Sequence, residues 1–412
     1  MFRISHYLHA LRTPGAATGP VRRPPGPVVI WNLVRRCNLA CRHCYSISAD
    51  IDFPGELTTA EVLATLDDLQ RFRVPALILS GGEPLLRPDI HEISAYAKAL
   101  GLYLGLSTNG TLIDAGNIGR IAATGFDYVG ISLDGLRATH DRFRRLDGAF
   151  DRSLAGIRLC RTHGIKVGLR CTLTQDNHAQ LPALLELMRT EQVDKFYLSH
   201  LNYAGRGARN RRDDAVHAMT RAAMDLLFET AWDDLDSGRE YVSGNNDADG
   251  PYLLQWAQAR GFDTTQLERR LVQWGGNRSG IDIANIDNTG EVHPDTFWWN
   301  HPLGNVREQP FSTIWSTTRD PLMLGLRSEP RPLKGRCAAC RHLPICGGNT
   351  RVRAFQTSGD PWAEDPGCYL DDDEIGLPGG YAGEAAQPGP RAAPIRFDRR
   401  HQSAPATGPA VR

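Results

Sequence analysis

Three cysteines lie close together near the start of the chain, at Cys37, Cys41 and Cys44. Thiolates at such short spacing are typical ligands of an iron–sulfur cluster. A cubane cluster has four irons, so three cysteines leave one iron open to chelate another molecule through amino and carboxylate groups. Zinc with His43 as a fourth ligand is the alternative, because zinc also accepts thiolate and imidazole. The spacing favours the cluster without excluding zinc.

Four more cysteines lie near the other end of the chain, at Cys337, Cys340, Cys346 and Cys368. Four thiolates can complete the ligand set of a second [4Fe–4S] cluster, or of a structural zinc ion. The two remaining cysteines, Cys160 and Cys171, stand alone in the middle of the chain and are expected to be unliganded.

The segment after the first cysteines alternates between short apolar runs and helical patterns. Short apolar runs are typical of parallel strands buried on both faces. The predicted strands cover 27–34, 76–80, 102–107, 128–133, 166–174 and 195–201. Their alternation with helices predicts an α/β fold with a partial (β/α)6 barrel. Functional groups in such a sheet are expected at the carboxyl ends of the strands.

Small and polar residues do follow the predicted strands. Ser80-Gly-Gly-Glu-Pro84 ends the second strand, Ser107 and Asn109 end the third, Ser132 and Asp134 end the fourth, and Arg170 lies on the fifth. Glycines permit a close approach of backbone to a ligand. Each feature also has a structural interpretation: the Gly-Gly pair as a turn and Arg170 as a surface ion pair.

The motif Cys-x3-Cys-x2-Cys followed by Tyr45, together with these strand ends in order, resembles the radical S-adenosylmethionine (SAM) superfamily. The resemblance implies a SAM-binding [4Fe–4S] cluster on Cys37, Cys41 and Cys44, and a low-potential electron donor. It also implies a SAM site formed by Tyr45, Gly81, Gly82, Glu83, Pro84, Ser107, Asn109, Ser132, Asp134 and Arg170.

The C-terminal cysteines resemble the SPASM-like extension of that superfamily, which carries auxiliary [4Fe–4S] clusters. The two-cluster form of the extension has further cysteines, and this chain has Asp295 and Thr350 at two of those positions. The missing cysteines all belong to one of the two auxiliary clusters. The resemblance therefore implies two clusters in total, the second on Cys337, Cys340, Cys346 and Cys368.

Less general segments resemble the radical SAM proteins of heme d1 biosynthesis, notably 199–206, 245–250 and 293–299. That resemblance implies a tetrapyrrole substrate, 12,18-didecarboxysiroheme, and removal of its C3 and C8 propionate side chains. Three alternatives remain open: a heme-forming radical SAM decarboxylase, a peptide-modifying SPASM enzyme, and a non-catalytic iron–sulfur electron carrier.

A basic run follows the sixth predicted strand at the mouth of the barrel. Arginines there could pair with substrate carboxylates, although such runs are commonly solvated loops. The substrate-binding residues predicted in this region are His200, Tyr203, Arg206, Arg209, Arg211 and Arg212.

The composition of the chain limits the classes of partner and the cellular location that we expect. Among 412 residues, Lys+Arg and Asp+Glu both number 47, so bulk charge argues against binding a polyanion such as nucleic acid. No apolar run is long enough to span a membrane and no signal peptide is recognisable, which predicts a cytoplasmic protein. The expected organisation is a flexible leader (1–26), a radical SAM core (27–240), linker helices (241–279), an auxiliary cluster domain (280–375) and a disordered tail (376–412).

Overall fold

A ten-stranded sheet organises the part of the chain that the computed structural model describes, which is residues 1–12, 24–377 and 379. The strands are β1 (Val28–Val34), β2 (Leu77–Gly81), β3 (Leu104–Thr108), β4 (Tyr128–Ser132), β5 (Val167–Leu173), β6 (Lys195–His200), β7 (Glu240–Gly244), β8 (Ile283–Ile286), β9 (Glu291–His293) and β10 (Gly304–Asn305). Their spatial order is β10-β9-β8-β1-β2-β3-β4-β5-β6-β7. Neighbours from β8 through β1 to β7 are all parallel, and β8-β9-β10 is antiparallel.

Helices follow most of the parallel strands. They are α1 (Ile4–Arg12), α2 (Thr59–Arg71), α3 (Ile90–Ala99), α4 (Ile118–Thr124), α5 (Arg137–Arg144), α6 (Ala149–Thr162), α7 (Leu181–Thr190), α8 (Gly205–Arg209), α9 (His217–Asp233), α10 (Asp249–Ala259), α11 (Thr265–Trp274), α12 (Phe311–Thr317), α13 (Pro321–Arg327), α14 (Gly335–Ala339), α15 (Leu343–Cys346) and α16 (Arg351–Ser358). No helix of the described residues is long and apolar enough to cross a membrane.

The six predicted βα units are confirmed, in the predicted order. Their strands are apolar because the sheet is covered: Val29, Trp31, Leu79, Leu106 and Ile131 are all fully buried. Parallel strands packed on both faces need such continuous apolar runs, which is why the sequence pattern identified them.

The expected boundaries beyond residue 240 were wrong in two places. The segment expected to be linker helices begins with β7, which pairs in parallel with β6 and extends the sheet. The start of the expected auxiliary cluster domain contributes β8, which pairs in parallel with β1 over Val28–Trp31. The sequence pattern did not identify these two strands, although β7 is as long as β2, β3 and β4.

The expected flexible leader also contains an ordered helix. In α1, Ile4, Leu8 and Leu11 are buried, and Phe2 exchanges backbone hydrogen bonds with Ser243 of β7, N to O at 2.7 and 2.9 Å. The spacing of these apolar residues fits one helical face, and burial of that face against β7 provides the driving force. Residues 13–23 and most of the expected tail, 378 and 380–412, lie outside the described residues.

Candidate active site and cluster sites

A cavity of about 630 Å³ extends along the inner face of the parallel strands and reaches their carboxyl ends. Most residues predicted to hold the first cluster and SAM line it together. These are Cys37, Cys41, Cys44, Tyr45, Gly81, Gly82, Ser107, Asn109, Ser132 and Arg170. The tertiary structure therefore joins residues that are spread over more than 130 positions of sequence into one compartment.

The cysteine loop directly follows β1 and is held by two arginines. Arg144 directs Nη1 toward Cys41 Sγ, 3.6 Å away, and Arg206 donates from Nε to the Cys41 carbonyl oxygen at 2.6 Å. Arg206 also donates to the carbonyl of Ser48 at 2.8 Å. These bonds fix the loop so that its three thiols share the end of the cavity.

Electrostatics differ among the three thiols. Burial raises the pKa of Cys37, and the nearby Glu83 carboxylate raises it further. Burial also acts to raise the pKa of Cys44, but the Arg206 guanidinium and the Ser46 hydroxyl lower it overall. A cationic iron site would favour all three thiolates, since a coordinating thiol is deprotonated.

Gly81 ends β2 and Gly82 follows it, and the backbone at the end of β1 leaves no room for a side chain at either position. Gly81 has φ +147°, and a Cβ there would lie 2.2 Å from the Val34 carbonyl oxygen. A Cβ on Gly82 would lie 2.2 Å from the carbonyl oxygen of Arg36. The close approach of the paired ends of β1 and β2 is therefore sufficient to account for this pair, and both glycines also line the cavity.

Three residues expected at the SAM site do not line the cavity: Glu83, Pro84 and Asp134. Glu83 is fully buried and accepts hydrogen bonds from Thr108 Oγ1 at 2.7 Å and Asn109 N at 2.8 Å. Burial raises the pKa of Glu83 to about 7, against these hydrogen bonds, which lower it. Pro84 begins a short 3₁₀ turn. Glu83 thus positions Asn109, whose side chain lies in the cavity wall.

Asp134 has a comparable supporting role. It is fully buried, forms an ion pair with Arg144 and accepts a hydrogen bond from the Thr172 backbone N–H at 2.8 Å. The pair orients the guanidinium that faces Cys41. No sequence signal distinguished Arg144, which lies at the end of the charged helix α5.

The Arg170 guanidinium lies in the cavity wall and does not form the surface ion pair that was the alternative interpretation. It donates to Ser107 Oγ on β3 and packs over the ring of Tyr197, 5.0 Å from its centroid. Among the described residues it has no carboxylate partner. Tyr45 closes the same wall through hydrogen bonds with Asn32 at 3.1 Å and Ser80 at 3.3 Å.

The predicted substrate residues separate into different environments. His200 lines the cavity, is buried, and contacts Asp249 Oδ2 through Nε2 at 3.0 Å. Tyr203 instead donates to Asp214 at 3.0 Å, outside the cavity wall. Arg209, Arg211 and Arg212 are exposed and do not line it.

The basic run is therefore not the carboxylate-binding rim that we expected. Arg206, near the start of α8, points into the cysteine loop, whereas Arg209 at the end of α8 and Arg211 and Arg212 in the 3₁₀ turn after it are exposed. Lys195 and Arg278 line the cavity instead, although each also pairs with a carboxylate, Glu240 and Asp282. Both lie in segments with no recognisable motif.

The four C-terminal cysteines, Cys337, Cys340, Cys346 and Cys368, line one small pocket. Thiolates around tetrahedral zinc lie ~3.8 Å apart, given a Zn–S bond of ~2.3 Å. All nine cysteines are among the described residues, and no three of their sulfurs lie within 4.8 Å of one another. The wider spacing fits a cubane, whose body separates its ligands, better than zinc at either site.

Asp295 and Thr350 occupy two positions at which the two-cluster form of the extension has cysteines. Asp295 and Thr350 both line the large cavity, not the C-terminal cysteine pocket. Burial raises the pKa of Asp295, while its hydrogen bonds act in the opposite direction. The space beside these residues is continuous with the compartment that contains Cys37, Cys41 and Cys44.

Comparison with known proteins agrees with this geometry. Residues 31–188 match the model of the radical SAM superfamily. The chain is 57% identical to pre-heme d1 synthase of Dinoroseobacter shibae over 91% of this chain and 94% of the relative. It is 43% identical to Fe-coproporphyrin III synthase of Methanosarcina barkeri, over 85% and 89% of the two chains.

Among solved structures, Streptococcus suis SuiB bound to S-adenosylmethionine aligns with a TM-score of 0.67 at 18% identity. The alignment covers 84% of this chain and 78% of SuiB, and at this identity it shows a shared fold. The superfamily uses SAM and a [4Fe–4S] cluster. The chain is a SAM-dependent enzyme that belongs to the radical SAM superfamily, in the family that includes pre-heme d1 synthase and Fe-coproporphyrin III synthase.

Proposed function

We propose that this enzyme acts on 12,18-didecarboxysiroheme and removes its C3 and C8 propionate side chains during heme d1 biosynthesis. The observation that carries the proposal is the single cavity that connects the three N-terminal cysteines with Arg170. Its volume of about 630 Å³ lies within the range of ~300–1,000 Å³ typical of ligand pockets. The similarity to pre-heme d1 synthase supports the same reaction.

The first cluster is assigned to Cys37, Cys41 and Cys44, and SAM to the strand ends beside it. When bound, these cofactors supply a 5′-deoxyadenosyl radical that abstracts a hydrogen atom from the substrate. The residues proposed to contact SAM are Tyr45, Gly81, Gly82, Ser107, Asn109, Ser132 and Arg170. Arg170 is suited to pair with the SAM carboxylate, because none of the described residues neutralises its charge.

The chain's own residues then have to hold the macrocycle and keep water from the radical. Strand β4 and the cysteine loop form one wall of the cavity, and the segment with Asp295, Thr296 and Phe297 forms another. His200, fixed by Asp249, offers an imidazole to a polar edge of the substrate. Enclosure of this kind aligns the reacting C–H group and suppresses side reactions.

The C-terminal cysteines are assigned to a second [4Fe–4S] cluster, and reduction of the first cluster requires a low-potential electron donor. The expected cytoplasmic location suits both clusters, because a reducing compartment keeps thiols available.

The decisive experiment is anaerobic reconstitution with iron and sulfide, followed by incubation with SAM, a reductant and 12,18-didecarboxysiroheme. Mass spectrometry should show loss of propionate side chains together with 5′-deoxyadenosine. A product identical to Fe-coproporphyrin III would instead assign the activity named for the Methanosarcina relative. Heme as product would indicate the decarboxylase, and deoxyadenosine formed only with a peptide would indicate a peptide-modifying enzyme.

A further inference from the structure

Two arginines beside the C-terminal cysteine pocket have no carboxylate partner among the described residues. Arg351 is 1% exposed and donates only to carbonyl oxygens, those of Gly348, Asn349, Pro361 and Ala363. Arg331 donates to the carbonyls of Leu326, Gly347 and Asn277 at 2.7–3.0 Å. A buried guanidinium normally requires a nearby negative charge.

Arg353, on the same helix as Arg351, shows how a buried arginine in this region is neutralised by a carboxylate. Arg353, also on α16 and equally buried, pairs with Asp365 through two contacts at 2.6 and 2.9 Å. Arg331 and Arg351 lack such a carboxylate, and they also repel one another. Burial and the charge of Arg351 lower the pKa of Arg331 to about 10.

Both arginines lie beside the cysteine pocket, because they donate to the carbonyls of Gly347, Gly348 and Asn349, which directly follow Cys346. Arg351 lowers the pKa of Cys337, although burial raises it overall. Asp247, and to a smaller extent Cys346, act on the pKa of Arg331 in the opposite direction to burial. Four thiolates around a [4Fe–4S] core carry net negative charge, and one-electron reduction adds one more.

The pocket with these cysteines is separated from the large cavity by a wall one residue thick. Ala248 and Asn349 face the pocket, and the adjacent Asp247 and Thr350 face the cavity. The two segments of the wall are joined by a hydrogen bond from the Asp247 backbone N–H to Asn349 Oδ1, at 2.7 Å. Electrons therefore have a short path between the two compartments.

We propose that Arg331 and Arg351 are the compensating charges of the C-terminal cluster and that they raise its reduction potential. The inference rests on the cluster assignment made under the proposed function. Two cations that form no ion pair with a carboxylate stabilise the reduced cluster, with its extra negative charge, more than the oxidised one. A substrate radical in the cavity can then lose one electron across the wall, and the cluster gains that electron.

The test is an EPR-monitored redox titration of the full-length chain in which Cys37, Cys41 and Cys44 are all replaced by Ala, so that only the C-terminal cluster remains. In this background, Arg351→Gln and Arg331→Gln should each shift the midpoint to more negative potential. A tenfold change in the ratio of oxidised to reduced cluster corresponds to ~59 mV for one electron. We expect at least that change for Arg351→Gln.

Two control variants distinguish an effect of the arginine charge on the potential from an effect on the local structure. Arg351→Lys keeps the charge and should keep most of the potential. Arg327→Gln removes another guanidinium that donates to carbonyls, but those of Gly280 and Trp315 do not belong to the cysteine pocket, so this variant should have no effect. If Arg351→Gln fails to bind iron, Arg331→Gln carries the test.

Unchanged midpoints in both glutamine variants, at full iron content, would overturn the inference. This result would leave the tetrapyrrole reaction untouched, because no tetrapyrrole is present in the titration. Conversely, a shifted midpoint in an enzyme that does not act on 12,18-didecarboxysiroheme would overturn only the proposed substrate.

Discussion

Arg206 donates a hydrogen bond from its Nε to the carbonyl oxygen of Cys41, with the two atoms 2.6 Å apart. A residue of α8 is thereby bonded to a loop 165 positions earlier in the chain. The same guanidinium lowers the pKa of Cys44, against the effect of burial. Arg206 consequently supports the N-terminal cysteine loop together with Arg144, which contacts the sulfur of the same cysteine.

This contact predicts a different outcome for Arg206 than for its basic neighbours. Arg206→Gln should reduce the iron bound at the N-terminal site and the rate of SAM cleavage, because the loop loses its anchor. Arg209→Gln, on the exposed side of the same helix, should change neither. Iron analysis and 5′-deoxyadenosine formation provide the measurements, and equal behaviour of the two variants would contradict the assignment.

The two cysteine sites predict the iron content. Reconstituted wild-type protein should hold about eight irons, as two cubanes of four. Joint replacement of Cys37, Cys41 and Cys44 by Ala should leave about half of that iron and abolish SAM cleavage. Replacement of Cys160, which is fully buried in α6 and away from both sites, should leave the iron count unchanged. Four irons accompanied by one zinc would mean that the C-terminal site is structural.

The uncompensated charge of Arg170 predicts a defect in SAM binding. A charge-assisted hydrogen bond contributes ~1.5–3 kcal/mol, so Arg170→Gln should weaken SAM binding by roughly 10- to 100-fold. Arg158→Gln, which removes an exposed arginine paired with Glu191 outside the cavity, is the matched control. Equilibrium binding of SAM to the reconstituted enzyme measures the effect, and equal affinities would exclude Arg170 from the SAM site.

The close approach of β1 to β2 at Gly81 predicts that a larger residue at this position destabilises the protein. A Cβ there would lie 2.2 Å from the Val34 carbonyl oxygen, and φ is +147°. Gly81→Ala should therefore lower the free energy of unfolding by about 1–3 kcal/mol. Gly119→Ala in α4, where a Cβ meets nothing within 4 Å, should be neutral or stabilising. Denaturant unfolding of the two apoproteins makes the comparison, and equal stability would argue against the steric account.

The local pattern of the sequence was sufficient to predict the six βα units and the groups at the strand ends. Buried parallel strands need continuous apolar runs, and the carboxyl ends of these strands all meet at one edge. The clustering of Cys337, Cys340, Cys346 and Cys368 in one pocket could likewise be expected, since three of them lie within ten residues.

Only the tertiary structure decided which polar residues face the cavity and which support it. Gly81 and Glu83 follow the same strand, but Gly81 meets β1 and Glu83 turns inward to hold Asn109. The basic run after β6 divides similarly, because α8 places Arg206 against Cys41 while the other arginines of the run are exposed on α8 and on the turn after it.

The pairing of distant segments was equally invisible in sequence. Strand β8 joins β1, and Phe2 joins Ser243, through backbone hydrogen bonds that any residue type can make. Arg331 and Arg351 look like ordinary charged residues until burial removes water and leaves them bonded to backbone carbonyls, without an ion-paired carboxylate. Local composition specifies elements and their periodicity, whereas burial and charge compensation arise only when segments far apart in the chain pack together.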